Sequence, residues 1–362
     1  MNKLLNFDAP LNSLSLGNVS YNFLRELQRK DINVNLFAVG DRAELQAYDK
    51  KTPELVEYIK NAGHSRFRNL NSNIPTLKVW HINGSEKQIG SNQFLYTFYE
   101  LDSPTETEVA IVKMQKHVFF SSSEACEAFK AAGCDNVSHV PLGFDEDFGK
   151  TDKTYFEEDV IHFGLIGKFE RRKNTVPIIQ TWLKRFGNNP KYQLSCLVHN
   201  PFFPEEQMDQ LLKNCMMNEQ WSNINFLPRL ETNSEVNELT NSIDIDLSGL
   251  SNGEGWNLPA FNATALGKWS IVSNCSSHTD WATKENSILV DPVDKQDCYD
   301  NAFFKKGLPF NQGQYYKITP EQIIKSYDTA VVMAKQPNTE GEKLREKFTY
   351  KKTIEQILSV IY

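Results

Sequence analysis

Hydrophobic positions along the chain switch between a period of two and a period near 3.6, and the same alternation runs through both halves. In the first half, residues 3–7 read as a short strand and residues 19–27 as a helix. The small polar loop between them contains Gly17, and a loop of that kind brings a ligand close to the backbone. Residues 35–39, closed by Gly40, form the next strand. A helix around 54–62 follows, then strands at 77–82 and 92–98, a helix through 108–115, and an apolar strand from His117. Ser122 or Ser123 reads as the N-cap of a helix over 124–132, Gly133 ends it, and 137–140 is the last strand of this half.

The second half opens with a strand at 160–166, which runs into Gly167-Lys168-Phe169-Glu170-Arg171-Arg172-Lys173-Asn174. Helices at 175–186, 205–214 and 233–241 then alternate with strands at 193–198, 223–227 and 243–247. Glu254-Gly255-Trp256-Asn257-Leu258-Pro259 leads into an apolar run rich in small residues that stops at Gly267. Proline is tolerated in a first helical turn and glycine favours a stop, so this run reads as a buried helix. Its N-terminal amides would face the strand ends, where an anion binds. Strands at 270–273 and 288–290, and helices within 318–334 and 341–362, complete the pattern. Such alternation predicts an α/β chain of two doubly wound, Rossmann-like domains. The expected division is 1–150, 151–330 and a helical tail, 331–362, returning toward the first domain, with the polar run 145–158 as linker.

Composition narrows the function classes. A chain of 362 residues has room for two ordinary domains, and 40% hydrophobic with 23% charged residues excludes disorder. A net charge of −7 leaves no general nucleic-acid footprint. No apolar run is long enough to span a bilayer, and the first residues lack the apolar core of a secretory signal. The scattered cysteines include no CxxC pair, which points to reduced thiols and a cytoplasmic setting. Asp244-x-Asp246 has the spacing of a metal-binding pair but lies within an alternating strand, so no metal ligand is assigned.

The motifs, taken in order, add up to a resemblance. They are Pro-Leu-Gly-Phe-Asp at 141–145, Gly167-Lys168 with a later Lys173, and Glu254-Gly255-x-x-Leu258-Pro259 before a buried helix. This series resembles the retaining GT-B glycosyltransferases, the nucleotide-sugar group that includes glycogen synthase-like and sucrose synthase-like enzymes. The likeness is clearest from His117 to Pro292. It implies two Rossmann-like domains facing a central cleft. A UDP- or GDP-sugar would bind in the second domain, and an acceptor hydroxyl would enter from the first. No cofactor beyond that substrate is implied, and no metal.

Site roles follow from the same resemblance. In the family a Gly-Arg and a later Lys hold the diphosphate; Gly167, Lys168 and Lys173 stand at those positions, with Arg172 beside them. Fixed cations in a dry cleft stabilise the charge that develops on a departing phosphate. The family's pair of glutamates falls on Glu254 and Asn262. Glu254 is implied to contact the donor sugar, and Gly255, Trp256, Asn257 and Leu258 to lie against the phosphate. Asn262 would face the ribose with an amide where relatives carry a charge. A first-domain histidine that bonds the transferred sugar is placed at His81, with His117 the other candidate, and Glu100-Leu101-Asp102 borders the acceptor side. The expected activity is transfer to a glycan or other hydroxyl compound with retention, the leaving phosphate taking the acceptor's proton. Two further readings of the same residues are a phage-type glycosyltransferase acting on a hydroxylated DNA base, and a sugar-nucleotide-binding protein without turnover.

Overall fold

The computed structural model describes every residue except Met1, Asn2, Leu70, Lys153 and Asn218. The first half runs β1 (Leu4–Leu11), α1 (Ser15–Arg29), β2 (Asn33–Ala43), α2 (Pro53–Arg68), β3 (Thr76–Val79) and β4 (Gln93–Thr97). It continues with α3 (Glu106–Met114), β5 (His117–Phe120), α4 (Ser123–Ala131) and β6 (Val137–His139). The strands are all parallel, in the order β2-β1-β3-β4-β5-β6.

The second half runs β7 (Ile161–Ile166), α5 (Thr175–Phe186), β8 (Tyr192–Leu197), α6 (Glu205–Cys215), β9 (Ile224–Phe226) and α7 (Asn233–Ser242). Then come β10 (Ile245–Asp246), α8 (Leu258–Ala265), β11 (Trp269–Ser273), a 3₁₀ turn at Ser276–Asp280 and β12 (Ser287–Val290). Its parallel order is β12-β11-β10-β7-β8-β9. Both halves are therefore doubly wound. Each sheet changes its direction of growth beside its first strand, between β1 and β3 and between β7 and β10. Loops leaving neighbouring strands at such a point diverge and leave a crevice.

Several elements differ from their expected extent, for identifiable reasons. β1 continues through Leu11, because Asp8 is neutralised inside the sheet by Lys78, its neighbour on β3, at 3.1 Å. α1 begins at Ser15, which places Gly17 in its first turn. β3 stops at Val79, so His81 lies in the loop that follows. β10 has only two residues.

An antiparallel hairpin, β13 (Asp294–Asp297) and β14 (Gln314–Lys317), was not expected. It carries the loop 298–313 out of the second half. Cys298, Phe304 and Tyr315 from this excursion join the apolar cluster of Leu95, Tyr99 and Phe129 in the first half. The chain then returns through α9 (Pro320–Met333), whose Tyr327 hydroxyl donates to the Ile178 carbonyl at 3.1 Å. Two short helices, α10 (Thr339–Glu342) and α11 (Leu344–Lys347), lead to α12 (Tyr350–Ile361), which packs on α1. No helix of the described residues is long and apolar enough to cross a membrane.

The crossing between halves is not a solvated linker at its start. Asp145 and Asp147 are buried against Arg25 of α1, whose guanidinium reaches Asp147 Oδ1 at 2.8 Å and Asp145 Oδ1 at 3.2 Å. Asn22 Nδ2 donates to the second Asp145 oxygen at 3.0 Å. Arg25→Met leaves two carboxylates inside without a counter-charge, so it should cost about 3–5 kcal/mol of stability. Urea unfolding measures this, and a loss below about 1 kcal/mol would show that the pair is not carrying the junction.

Candidate functional site

The crevice of the second half lies between the loops that leave β7 and β10. β7 ends in Gly167 at φ +150, and a Cβ there would stand 3.4 Å from Lys173 Cδ. The turn that follows closes at Asn174, whose side chain donates to the Leu250 carbonyl at 3.0 Å and to Asn252 Oδ1 at 2.7 Å. Asn252 returns a backbone bond to the Arg172 carbonyl at 2.9 Å. The two loops thus form one rigid frame.

Three cations and two carboxylates interleave on that frame. Lys168 Nζ is 2.8 Å from Glu170 Oε1, and Arg172 Nη2 is 3.2 Å from Glu170 Oε2. Arg172 Nη1 is 3.0 Å from Glu254 Oε2, and Lys173 Nζ is 2.8 Å from Glu254 Oε1. Burial by itself would raise the Glu254 pKa, but Arg172 and Lys173 reverse that and hold it well below the usual carboxylate range. Burial likewise works against the Arg172 charge, and Glu254 and Glu170 outweigh it, raising its pKa. Glu254 and Arg172 therefore stay ionised, and the three cations of the cluster outnumber its two carboxylates. Each Glu254 oxygen carries one cation. Arg171 turns away and donates to the Tyr299 carbonyl.

Helix α8 opens behind this cluster. Its N-cap, Asn257, sits at φ +67 and accepts a long bond from Ala260 N at 3.5 Å. Asn257 Nδ2 donates to the Ser248 carbonyl at 2.8 Å and to His278 Nε2 at 3.0 Å. His278 Nδ1 faces the Ser273 carbonyl at 2.9 Å, so that nitrogen carries the proton. Burial pushes the His278 pKa down to about 4, which keeps the ring in the neutral form this pairing needs. Among the described residues the amides of Gly255, Trp256, Asn257 and Leu258 donate to no protein group. The Trp256 indole, however, is 1% exposed and packs against Phe261 and Phe348 in the core, so its ring does not reach the crevice. Gly255 is where the halves touch: a Cβ there would lie 2.5 Å from Phe98 Cβ.

Opposite the cations, the loops after β3 and β4 bring His81 and Glu100 to a cavity of about 490 Å³ between the halves. Lys168, Arg172 and Glu170 line it from the second half, as does Phe202 from the loop after β8. Phe303 and Asn311 line it from the excursion. His81 is exposed to this space but enclosed by both halves; burial lowers its pKa, Lys168 lowers it further and Glu100 opposes. His117 stands at the opposite end of its strand, against Ser138 Oγ at 2.8 Å. Gly17 lies in the first turn of α1, where a Cβ would meet the Asn12 carbonyl at 2.1 Å. Asn262 is buried in α8 with an Oδ1 that has no partner among the described residues. Glu170, Phe202 and Phe303 carried no motif; a carboxylate within a run of four basic neighbours was the one available signal. No group of three or more His, Cys, Asp or Glu side chains among the described residues is placed to hold a metal ion.

No family model and no curated protein matches the sequence. Solved structures do match it over nearly its whole length. HepE of Anabaena, solved in complex with UDP, is 12% identical over 99% of this chain and 98% of that one, with a TM-score of 0.64. Sucrose-phosphate synthase of Thermosynechococcus elongatus is 13% identical over 99% and 98%, with a TM-score of 0.68. The fold is GT-B. The alpha,alpha-trehalose 6-phosphate synthase of Burkholderia multivorans shares the GT-B arrangement at 9% identity, over 100% of this chain and 98% of its own, with a TM-score of 0.62.

The electrostatics give a sign that can be checked. The folded pKa of Glu254 lies below its ordinary 4.5, so between those values the unfolded chain binds the extra proton. Its stabilising contribution is complete above pH 4.5 and is lost as pH falls through the folded value. Glu254→Gln should therefore be less stable than the wild type at pH 7, and the gap should narrow below pH 4.5. Thermal unfolding from pH 7 to pH 3 reads this out, and a gap that widens in acid would contradict it.

Proposed function

We propose that the protein is a glycosyltransferase that moves a sugar from a nucleoside diphosphate sugar to an acceptor hydroxyl. One observation carries the reading: the excess of cations formed by Lys168, Arg172 and Lys173 over Glu170 and Glu254, set across a cavity from His81. The comparisons add direction, since HepE of Anabaena was also solved in complex with UDP-glucose, at 13% identity over 99% of this chain and with a TM-score of 0.63. A UDP-sugar is accordingly the first donor to test and a GDP-sugar the second.

In this reading Lys168 and Lys173 face the diphosphate and stabilise the charge it acquires on leaving. Arg172 positions that pair. Glu254 fixes Lys173 and offers its remaining lone pairs to a donor-sugar hydroxyl. Gly167 and the amides of residues 255–258 lie along the phosphates, Asn262 faces the ribose, and the Gly17 turn covers the donor from the first half. Trp256 contributes its backbone alone. His81, kept neutral, hydrogen-bonds the transferred sugar. The bond from the anomeric carbon to the phosphate oxygen breaks, and the acceptor oxygen bonds that carbon on the same face. The acceptor's proton passes to the leaving phosphate, so configuration is retained without a metal ion or cofactor. The six cysteines are unpaired and buried, which suits a reducing cytoplasm.

Lys173→Ala should lower kcat by roughly 100- to 1,000-fold, the loss that follows removal of one fixed transition-state donor. NMR of the product should show the donor's anomeric configuration, and EDTA should leave the rate unchanged. Wild-type kcat in Lys173→Ala would sink the assignment of the site, and an inverted product would sink retention.

A further inference from the structure

One end of the cavity is closed by a segment that a doubly wound domain does not need. The excursion 291–318 leaves the second half, crosses the cleft and is bonded to the first half along its length. Gln314 and Asp102 exchange two bonds, from Asp102 N to the Gln314 carbonyl at 3.0 Å and from Gln314 N to Asp102 Oδ1 at 2.8 Å. Lys295 Nζ reaches the other Asp102 oxygen at 3.0 Å. Asn311 N donates to Glu108 Oε1 at 3.0 Å, and Thr105 Oγ1 to the Pro309 carbonyl at 2.7 Å. With Cys298, Phe304 and Tyr315 in the first-half core, this is a fixed wall.

Two features face each other across the space it closes. On one side Phe303 meets Phe202 edge-on at 5.8 Å between ring centroids, with Lys168 Nζ 5.3 Å and 5.5 Å from the Phe202 and Phe303 centres. On the other side stand Glu100 and His81. Glu108, Lys168, Glu170 and Arg172 are all paired. Among the described residues neither the Glu100 carboxylate nor the His81 ring makes a hydrogen bond or an ion pair. An unengaged carboxylate opposite an aromatic face matches a ligand with hydroxyls on its edge and C–H groups on its face. The volume of about 490 Å³ lies within the range of small-molecule pockets, room for roughly one or two sugar rings. A polymer could not run through that closed end.

We propose that the part of this cavity between Glu100 and the Phe202–Phe303 pair, beside the place of the transferred sugar at His81, is the acceptor subsite and that it takes a small polyhydroxylated acceptor. Glu100 holds the acceptor's hydroxyl edge, Phe202 and Phe303 hold its apolar face, and the excursion excludes longer chains. The inference rests on the glycosyl-transfer reading. Glu100 accepts a hydrogen bond throughout, and the acceptor's proton still leaves with the phosphate.

The test uses the full chain with UDP- and GDP-sugars against four acceptor sets: monosaccharides, disaccharides, a linear heptasaccharide and duplex DNA with hydroxymethylated bases. Monosaccharides or disaccharides should be glycosylated, and the heptasaccharide and DNA should not. Glu100→Gln, checked for a native circular dichroism spectrum, should raise the acceptor KM by about ten-fold or more, the loss of one charge-assisted bond. The effect should fall on the acceptor KM and not on the donor KM. Phe303→Ala should also raise the acceptor KM and extend transfer to longer saccharides. Equal use of the heptasaccharide or DNA by the wild type, or an unchanged acceptor KM in both variants, overturns the inference while transfer itself stands. If the wild type neither binds nor consumes any donor, the glycosyl-transfer reading falls and takes this inference with it.

Discussion

Glu254 is the counter-charge on which the crevice depends. Arg172 and Lys173 are neighbours in sequence and both lose most of their water, and burying such charges costs several kcal/mol per ion unless each is paired. Glu254 takes one cation on each oxygen, and Glu170 repeats the device between Lys168 and Arg172. The alternation cation, carboxylate, cation, carboxylate, cation is compact, and it ends with positive charge on both sides. An arriving anion therefore does not need to displace a carboxylate to find a favourable field. The same pairing explains the buried Asn174–Asn252 contacts, which hold the two loops at the spacing the ion pairs require.

Topology puts that charge opposite a second set of loops. Because both sheets are parallel, every functional loop of a half leaves from the same edge, and the two edges face each other. The approach is close enough to exclude side chains. A Cβ at Gly253 would lie 2.4 Å from the Glu100 carbonyl, and one at Gly255 would strike Phe98. Hydrogen bonds fix the remainder of this seam: Ser121 Oγ donates to the Gly255 carbonyl at 2.6 Å, and Glu124 accepts from Ser276 N at 3.0 Å and from the Tyr316 hydroxyl at 2.9 Å. The glycine beside Glu254 thus sets the distance between the cations and His81 as much as it shapes its own loop.

Periodicity was a good guide wherever an element carried its own signal. The helix Thr175–Phe186 coincides with its expected bounds, and α8 opens at Leu258 with Pro259 in its first turn. It failed where polarity is satisfied by distant residues. Asp8 looked like the end of a strand because its partner, Lys78, is seventy positions away. Asn6 is buried in the same sheet, donating to Thr76 Oγ1 at 3.3 Å and accepting from Asn35 Nδ2 at 3.0 Å. The excursion 291–318 has no period to read; it is ordered by docking on a core built from residues far earlier in the chain. The cluster of Lys168, Arg172, Lys173 and Glu254 was legible because its residues fall in two short motifs. Glu170, Phe202 and Phe303 were not, since their meaning comes from what lies across the cleft. Trp256 lies inside a motif while its ring belongs to the core, which leaves its backbone to serve the crevice.

The seam between the halves is uneven, and its unevenness locates the cavity. Around α8 it is apolar: Trp256, Phe261 and Trp281 form one cluster with Phe348, Tyr350 and the first-half residues of α1 and β1. At the excursion it is apolar again, through Phe304 and Tyr315. The remaining contact is polar, with Arg229 donating to Ser13 Oγ at 2.7 Å and Asn233 to Asn18 Oδ1 at 3.3 Å. Parting apolar surface costs about 25 cal/mol for each Å² exposed, whereas a surface hydrogen bond exchanged for water costs on the order of 1 kcal/mol. The edge that opens at least cost is the one beside the Gly17 turn. The two apolar seams hold the halves in register on either side of the cavity, so the crevice cations and His81 keep their facing positions.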